Sequence, residues 1–305
     1  MMIFAAEENL RFLARCQHWF GDGTFKVVPS GYDQQYTLHG YWDGVTYPCV
    51  YALMKGRSET HYDKFLDEVL SLMPIDVTPS PITIMTDFEQ AARKSFRSHF
   101  PYAQISGCYF HLGQSAWRKI QDIGNGLPQK YKDDPNFAIR VRKFLALAFV
   151  PTEDVRDYMQ LILRDEETRG DGLLQEFAAY FQKIYVGQNL IRERFDRASW
   201  NMYERLKDNL PRTNNSVEGF HSAFAKNIPY HPSLTQLSAR YRNFQHKKGN
   251  ERVHHLHGNK PPVSRKKYQK VTEKLKIQVG RLDTNILTGL PYLEQIAKVM
   301  TIPTD

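Results

Sequence analysis

The sequence predicts an α+β fold in which a mixed β-sheet is combined with a long all-helical stretch. Three β-rich runs follow one another between residues 24 and 54, which predicts an antiparallel meander. Helix and strand patterns then alternate up to about residue 120. After Gly124-Asn125-Gly126 the strand patterns stop, and helix-like patterns follow until about residue 209. We interpret that stretch as an inserted helical segment or a second layer.

The N-terminal elements are predicted to be one helix and three strands. Leu10, Leu13 and Ala14 recur at helical spacing and predict an amphipathic helix from Ala5 to Trp19. The next three runs are rich in β-branched and aromatic residues, and Asp43-Gly44 between the last two is a strong hairpin signal. The predicted strands are 24–29, 36–42 and 47–54.

Two helices and two further strands follow. Thr60 to Met73 places its apolar residues on one helical face. Pro81 to Asp87 is short, apolar and β-branched, which favours a buried strand over a helix. The next helix has aromatic or Ala residues every fourth position and Glu89, Arg93, Lys94 and Arg97 on the other face. A strand is expected at 103–110 and a helix from about 112 to 120, the order expected of a ribonuclease H-type sheet.

The remaining elements are predicted to be helical. Their expected ranges are 135–148, 153–163, 172–186 and 198–209, followed by a capped helix that opens at Asn214-Asn215 and ends by Pro229. The predicted organisation is an N-terminal helix (1–20), the first part of a core (21–125), a helical insertion (126–211), a return helix completing the core (212–230) and a basic C-terminal helical or loop segment (231–305).

Composition favours a soluble globular protein of a reducing compartment. The chain has 305 residues, of which 41% are hydrophobic, enough to bury a substantial core. Its three cysteines have no paired spacing, which argues against a disulfide framework and favours the cytosol or nucleus. Glu7 and Glu8 interrupt the N-terminal apolar stretch, so no signal peptide is expected. The longest apolar run, Phe144 to Val150, is far short of the roughly 20 residues that a membrane span needs.

Positive charge is concentrated between Arg240 and Arg281. That segment holds 13 Lys and Arg residues against two Glu, a net charge of +11 in a chain whose total is +8. A segregated basic segment is typical of a surface that binds nucleic acid, although such runs are more often a solvated face or tail. The candidate DNA-binding residues are Arg240, Arg242, Lys247, Lys248, Arg265, Lys266 and Lys267. The histidines at 254, 255 and 257 are expected in a solvated loop.

Two aspartates are candidates for a shared site. Asp87 is expected at the carboxyl end of its strand, where open α/β sheets place their chemistry, although Asp87 with Gln90 would also suit a helix capping box. Asp22 is expected at the head of the first strand, next to the strand of Asp87, although Asp-Gly is also a common turn pair. Two carboxylates held together favour a divalent cation between them, and oxygen ligands suit Mg²⁺ or Mn²⁺.

Glu218 is the candidate for a third carboxylate. It lies on the helix that opens at Asn214-Asn215, with His221 three residues on and roughly on the same face. The alternative is a capping box from Asn215 to Glu218, in which the glutamate only binds a backbone N–H group.

Five runs of the sequence carry a resemblance to a known family. They are ENLxxLxxxxxWFGDGTFKVVP, YTLHGYWDGVTYPCVYALM, ITIMTDFEQAARKSF, GCYFHLGQSAWRKIQ and RTNNSVEGFH, in this order. Together they resemble the transposase domain of Mutator-like elements (MULEs), over about Phe4 to Phe244. The resemblance implies a DDE-type enzyme with a ribonuclease H-like fold and a large all-helical insertion between the second and third acidic residues.

The resemblance also assigns residues. The acidic triad would be Asp22, Asp87 and Glu218, which would hold two Mg²⁺ or Mn²⁺ ions for DNA strand cleavage and strand transfer. Cys108 and His111 would form the family's Cys-x-x-His element, for which a structural or substrate-positioning role is favoured over half of a zinc site. The implied partners are the terminal repeats and target DNA, bound as a homo-oligomer in the nucleus, with no small-molecule substrate. His221 is expected near the site.

One departure from the family leaves an alternative open. Members commonly carry a zinc-binding module that recognises element ends, and no such Cys/His spacing occurs in this sequence. The alternative function is therefore a domesticated or truncated DNA-binding or regulatory protein, derived from a transposase and without transposition activity.

Overall fold

A mixed six-stranded sheet forms the centre of the β-containing part of this computed structural model. The structure describes residues 1–188, 191–226, 228–259 and 266–303, except for the side chains of Lys266 and Lys267. The strands in this part are β1 (Met2–Ala5), β2 (His18–Thr24), β3 (Gln34–Trp42), β4 (Val45–Met54), β5 (Thr83–Thr86) and β6 (Gln104–Gly107). Their order across the sheet is β1-β4-β3-β2-β5-β6. β2, β5 and β6 run parallel to one another, whereas the remaining pairs are antiparallel.

The helices of the described residues alternate with these strands and then dominate the chain. They are α1 (Glu7–Arg15), α2 (Glu59–Ser71), α3 (Gln90–His99), α4 (Tyr109–Ile123), α5 (Leu127–Asp133), α6 (Pro135–Ala146), α7 (Val155–Arg164), α8 (Glu166–Arg169), α9 (Gly172–Phe181), α10 (Tyr203–Lys207), α11 (Asn215–Ala225), α12 (Leu234–Leu256), α13 (Lys266–Asp283) and α14 (Gly289–Val299). In the described part of the chain, no helix is both long and apolar enough to cross a membrane.

The chain divides into two compact units. The first comprises Met1–Gly107 and Thr213–Val263, and it contains the sheet with α1, α2, α3, α11 and α12. The second comprises Cys108–Arg212 and Ser264–Asp305, and it is built from the other helices. The basic segment from Arg240 to Arg281 thus contributes residues to both units.

Each face of the sheet is covered by helices because both faces carry apolar side chains. On one face Trp19, Tyr36 and Leu38 pack with the buried side chains of α1, α2 and α3. On the other face Tyr51 and Leu53 pack with α11 and α12. Alternation along β2 therefore turns Trp19 to the first face and its neighbours Phe20 and Asp22 to the second.

Helix α12 is anchored along most of its length. Tyr241 donates a hydrogen bond from its hydroxyl to Gln35 Oε1 (2.8 Å), and Arg252 Nη1 donates to Asn9 Oδ1 (2.6 Å). Near its end, His255 is buried and its Nδ1 lies 3.0 Å from the hydroxyl of Tyr47. The prediction of a solvated loop for the histidine tract is wrong, because His254 and His255 belong to the last turn of this docked helix.

The second unit has its own core. Trp200 and Asn201 connect the segment before α10 to the rest of this unit. Trp200 Nε1 donates a hydrogen bond to the carbonyl of Tyr185 (3.0 Å), and Asn201 Nδ2 donates one to the carbonyl of Val150 (2.7 Å). The hydroxyl of Tyr292 on α14 donates to the carbonyl of Phe149.

The N-terminal elements differ from the prediction. The helix ends at Arg15, and the first predicted strand lies earlier, at His18–Thr24, while residues 25–29 lie outside any strand. The edge strand Met2–Ala5 was not predicted, because its four residues precede the helix without a turn signal. The shift moves Asp22 from the expected head of a strand to a position near its carboxyl end.

Candidate functional site

The register of two parallel strands brings Asp22 and Asp87 to the same level of the sheet. β2 and β5 pair His18 with Thr83, Trp19 with Ile84 and Phe20 with Met85. Continuing this register by two residues sets Asp22 opposite Asp87, across strands that are about 4.8 Å apart. Both residues therefore lie at the carboxyl edge of the parallel strands, where α/β sheets place their ligands.

Asp22 is buried at this edge and contacts a helix. Its side chain projects from the face covered by α11, and it is 7% exposed. Its Oδ2 lies 3.3 Å from Nε2 of His221 on α11. Thr37, its partner across β2 and β3, donates a weak hydrogen bond of 3.3 Å to the Asp22 carbonyl. The Asp-Gly turn alternative is wrong, because Asp22 and Gly23 are both in the strand.

His221 is held by packing and by its polar contact with Asp22. It is 9% exposed, and neither ring nitrogen makes an aligned hydrogen bond to another group within the described chain. His221 and Asp22 are therefore in polar contact at 3.3 Å without hydrogen-bond alignment. The contact places His221 beside Asp22, and its role near a catalytic site stays a prediction.

A second buried histidine, His39, lies on the neighbouring strand β3. His39 on β3 is fully buried, and its Nε2 is 3.0 Å from Thr37 Oγ1. Burial lowers the pKa of His39 well below its usual range, and the nearby charge of His221 adds to the effect. His39 is therefore neutral at physiological pH. It contacts Thr37, which is paired with Asp22 across β2 and β3.

Asp87 is fixed by the backbone that follows it. Its Oδ1 accepts a hydrogen bond of 3.1 Å from the Glu89 N–H group. The N-cap residue of α3 is Glu89, so the predicted capping box from Asp87 to Gln90 is wrong. Asp87 instead stabilises the tight turn between β5 and α3.

Glu89 lies two residues after Asp87 and contacts a neighbouring helix. The sequence pattern had instead predicted a position on the solvent face of α3. The hydroxyl of Tyr62 on α2 donates to Glu89 Oε2 (2.8 Å), and Gln34 Nε2 donates to the same hydroxyl (2.9 Å). Burial raises the pKa of Glu89, the Tyr62 hydrogen bond opposes this, and the charge of Asp87 raises it further. The signal that could have located Glu89 is its position two residues after Asp87, before the helix starts.

The same interpretation of α3 was wrong for Arg93. This residue was also expected on the solvent face, but it is 4% exposed and its Nη2 donates to the carbonyl of Ile105 (3.1 Å). The spacing of the charged residues alone therefore did not identify the solvent-exposed side of α3.

The acidic groups surround a buried tyrosine. A Cβ atom on Gly21 would lie 2.5 Å from the hydroxyl oxygen of Tyr36, so the absent side chain makes room for this ring. Burial raises the pKa of Tyr36 well above its usual range, and the charges of Tyr62, Asp87, Asp22 and Glu89 add to the effect. The electrostatic field at this edge is therefore negative.

Glu218 lies near the start of α11. The N-cap residue is Asn214, so Glu218 is the fourth helical residue and the predicted capping box from Asn215 is wrong. Its backbone N–H donates to the Asn214 carbonyl (3.0 Å). The contact between His221 and Asp22 brings α11 to β2, and the convergence of the Glu218 carboxyl group with Asp22 and Asp87 stays a prediction.

Comparison with known families identifies this part of the chain. Residues 18–115 match the family described as MULE transposase domain. They form a MULE transposase domain. No curated protein matches the chain. The matched stretch of the MULE domain contains Asp22, Asp87 and Glu89, and it indicates a transposase-related function. Glu218 and His221 lie beyond it.

The described residues do not carry a complete three-ligand metal site. Within residues 1–188, 191–226, 228–259 and 266–303, no three His, Cys, Asp or Glu side chains are grouped to hold an ion. Cys16, Cys49 and Cys108 are buried, and none of them forms a disulfide within the described residues. Asp22 and Asp87 nevertheless provide two carboxylates at one edge, and Mg²⁺ in enzymes is commonly bound by one or two carboxylates plus water and substrate phosphates. The carboxylates of Asp22 and Asp87 fit a Mg²⁺ ion whose other ligands are water and substrate phosphates.

Cys108 and His111 of the MULE domain lie where β6 leads into α4. Cys108 is the buried N-cap residue of α4, and His111 is the third residue of that helix. Both belong to the second compact unit. Their structural or substrate-positioning role stays a prediction.

The candidate DNA-binding residues fall beyond the matched stretch. Arg240 donates to the carbonyls of Ala223, Phe224 and Lys226 at 3.0 to 3.2 Å, so it stabilises the carboxyl end of α11. Arg242 and Lys247 are exposed on α12, and Lys248 pairs with Glu251. Arg265 and the side chains of Lys266 and Lys267 lie outside the described residues.

Proposed function

We propose that this protein is a DDE-type transposase that cleaves and joins DNA strands at a site formed by Asp22, Asp87 and Glu218. The observation that carries the proposal is the register of the parallel strands β2 and β5, which sets Asp22 opposite Asp87 when it is continued by two residues. The order of the meander and the parallel strands supports a ribonuclease H-like core with a helical insertion. A MULE transposase domain implies interaction with DNA. We infer that it acts on element ends in the nucleus, as a homo-oligomer.

The proposed cofactor is Mg²⁺ or Mn²⁺, held as two ions by the three carboxylates. Such ions would supply activation of a hydroxyl nucleophile and neutralisation of charge on the leaving oxygen. The two aspartates would bind them together with the phosphate oxygens of the DNA. Glu218 would complete the set from α11, one turn before His221.

The residues around the carboxylates orient them. The Glu89 N–H group fixes one oxygen of Asp87, and the hydrogen bonds from Gln34 through Tyr62 hold the side chain of Glu89. His221 lies against Oδ2 of Asp22. These contacts reduce the conformational freedom that the carboxylates lose when a ligand binds.

A second candidate function is DNA binding without catalysis. The observation that favours it is the lack of a three-ligand metal group within the described chain. A domesticated or truncated transposase-derived protein would keep the fold and the basic segment, and it would bind DNA without cutting it.

A cleavage assay separates the two functions. Purified protein is incubated with labelled duplex and supercoiled plasmid DNA in Mg²⁺, Mn²⁺ or EDTA. Under the proposal, DNA is nicked only with a cation, and Asp22→Asn, Asp87→Asn and Glu218→Gln each remove the nicking while DNA binding remains. Binding without nicking at any cation concentration would support the non-catalytic function.

A further inference from the structure

A cleft of about 590 Å³ runs beside α11 in the first unit. Ser216, Gly219 and Ala223 of α11 form one wall, and residues of α12 form the other. At 3.6 residues per turn, Glu218 and His221 project from the opposite side of α11. One helix therefore separates the cleft from the candidate active site.

The cleft is positively charged. Its described lining includes Arg240, Lys247 and Lys248, and no Asp or Glu is among its lining residues. The guanidinium of Arg240 is fixed by hydrogen bonds to three carbonyls. Lys248 is partly neutralised by Glu251 at 2.5 Å, whereas Lys247 is exposed and makes no ion pair within the described residues. This charge favours a phosphate-bearing ligand.

The cleft also offers aromatic and polar groups. The rings of Phe220 and Phe244 meet edge to face with centroids 5.3 Å apart, and Phe244 is only partly buried. Asn243, Ser216 and Thr46 add hydrogen-bonding groups to the lining. Cationic and aromatic side chains in one groove are typical of proteins that bind single strands, in which both phosphates and base faces are accessible. A duplex keeps its bases stacked inside and would leave the aromatic side chains unused.

A second cavity extends this path. It has a volume of about 410 Å³ and shares Thr46, Ser216 and Lys248 with the first. It continues along α12 past Glu251 to His254. Because the two cavities share three lining residues, they adjoin each other, and adjoining cavities suit an extended chain better than a compact small molecule.

We propose that this cleft binds one strand of DNA, with phosphates at Lys247 and Lys248 and a base against Phe244. The inference rests on the proposed function, because it takes the DNA substrate of that site and gives one strand a path along the other side of α11.

The test measures binding without catalysis. A fluorescein-labelled single-stranded oligonucleotide is titrated with the protein carrying Asp22→Asn, in EDTA, and fluorescence anisotropy is followed at several salt concentrations. Lys247→Ala with Lys248→Ala should weaken binding about tenfold and reduce the slope of log K against log salt by up to about 1.4. Phe244→Leu should weaken it about tenfold while leaving the slope unchanged.

The matched control is Lys64→Ala with Lys94→Ala, which removes the same charge from exposed positions on α2 and α3. It should leave affinity within about twofold, and thermal unfolding should show that all variants are folded. Equal losses in both double variants would overturn the proposal, as would a loss confined to duplex DNA or tighter binding of RNA. An unchanged affinity of Phe244→Leu would overturn the base contact. Failure of the cleavage assay would overturn the proposed function and leave this binding result intact.

Discussion

His221 Nε2 lies 3.3 Å from Asp22 Oδ2, so a helix that begins 193 residues after Asp22 closes onto the carboxyl end of β2. This contact joins β2 to α11, two elements that are far apart in the sequence. It also places α11 beside Asp22. The candidate site therefore depends on parts of the chain that are remote in sequence.

His221→Ala should destabilise the first unit. The substitution leaves the carboxylate of Asp22 buried without its partner, and an uncompensated buried polar group costs about 1 to 3 kcal/mol. Chemical denaturation measures the free energy of unfolding. Ser222→Ala, at an exposed position on the same helix, is the control and should change it by less than about 0.5 kcal/mol. Equal stability of the two variants would show that the contact contributes nothing.

Asp87→Asn should abolish cleavage with little loss of stability. The amide is nearly isosteric, and its oxygen can still accept the hydrogen bond from the Glu89 N–H group, whereas the negative charge is lost. DNA nicking and thermal unfolding are measured on the same preparation. Wild-type nicking would remove Asp87 from the catalytic set. A large fall in melting temperature would show instead that its role is structural.

The pKa of His39 makes stability depend on pH. Because the folded protein keeps His39 neutral while the unfolded chain protonates it below about pH 6.5, the unfolded state binds more protons in acid. Stability should therefore fall as the pH drops below about 6.5, by up to about 1.4 kcal/mol per pH unit from this group. In His39→Gln the free energy of unfolding between pH 5 and 6.5 should fall less steeply than in the wild type. Identical slopes would mean that His39 is protonated in the folded protein.

Gly21→Ala should be destabilising because of one neighbour. The new Cβ would lie 2.5 Å from the Tyr36 hydroxyl oxygen and 3.2 Å from Cζ, within a fully packed core. Overpacking of this kind costs about 1 to 3 kcal/mol. Tyr36→Phe removes the closest atom, so the double variant should recover part of the loss. If the double variant is no more stable than Gly21→Ala, the clash lies elsewhere.

Sequence patterns predicted much of the sheet and the position of Asp87 directly after β5. The Asp43-Gly44 turn and the apolar run before Asp87 gave the β3–β4 hairpin and β5, since local turn chemistry and burial determine both. The position of Asp22 in its strand was missed, because Gly21 and Gly23 resemble a turn. Here the glycines instead make room for Tyr36 and Gln34 on the packed face.

Contacts remote in sequence could not be predicted. Glu89 was predicted on the solvent face of α3 because its spacing matches that of the charged residues of this helix. Only the folded structure shows that the Tyr62 hydroxyl donates a hydrogen bond to Glu89. The docking of α12 depends on Asn9 and Tyr47, which lie more than 200 residues earlier. A local charge pattern carries no information about such partners, so the basic segment resembled a tail.

The most direct test of the central claim is the position of Mn²⁺ in crystals soaked with that ion. Anomalous scattering locates it without reference to activity. The account predicts a peak within about 2.0 to 2.6 Å of carboxylate oxygens from both Asp22 and Asp87, with Glu218 brought to the same ions. A peak bound to only one of the two aspartates, or none at Mn²⁺ concentrations that support nicking, would contradict the shared site.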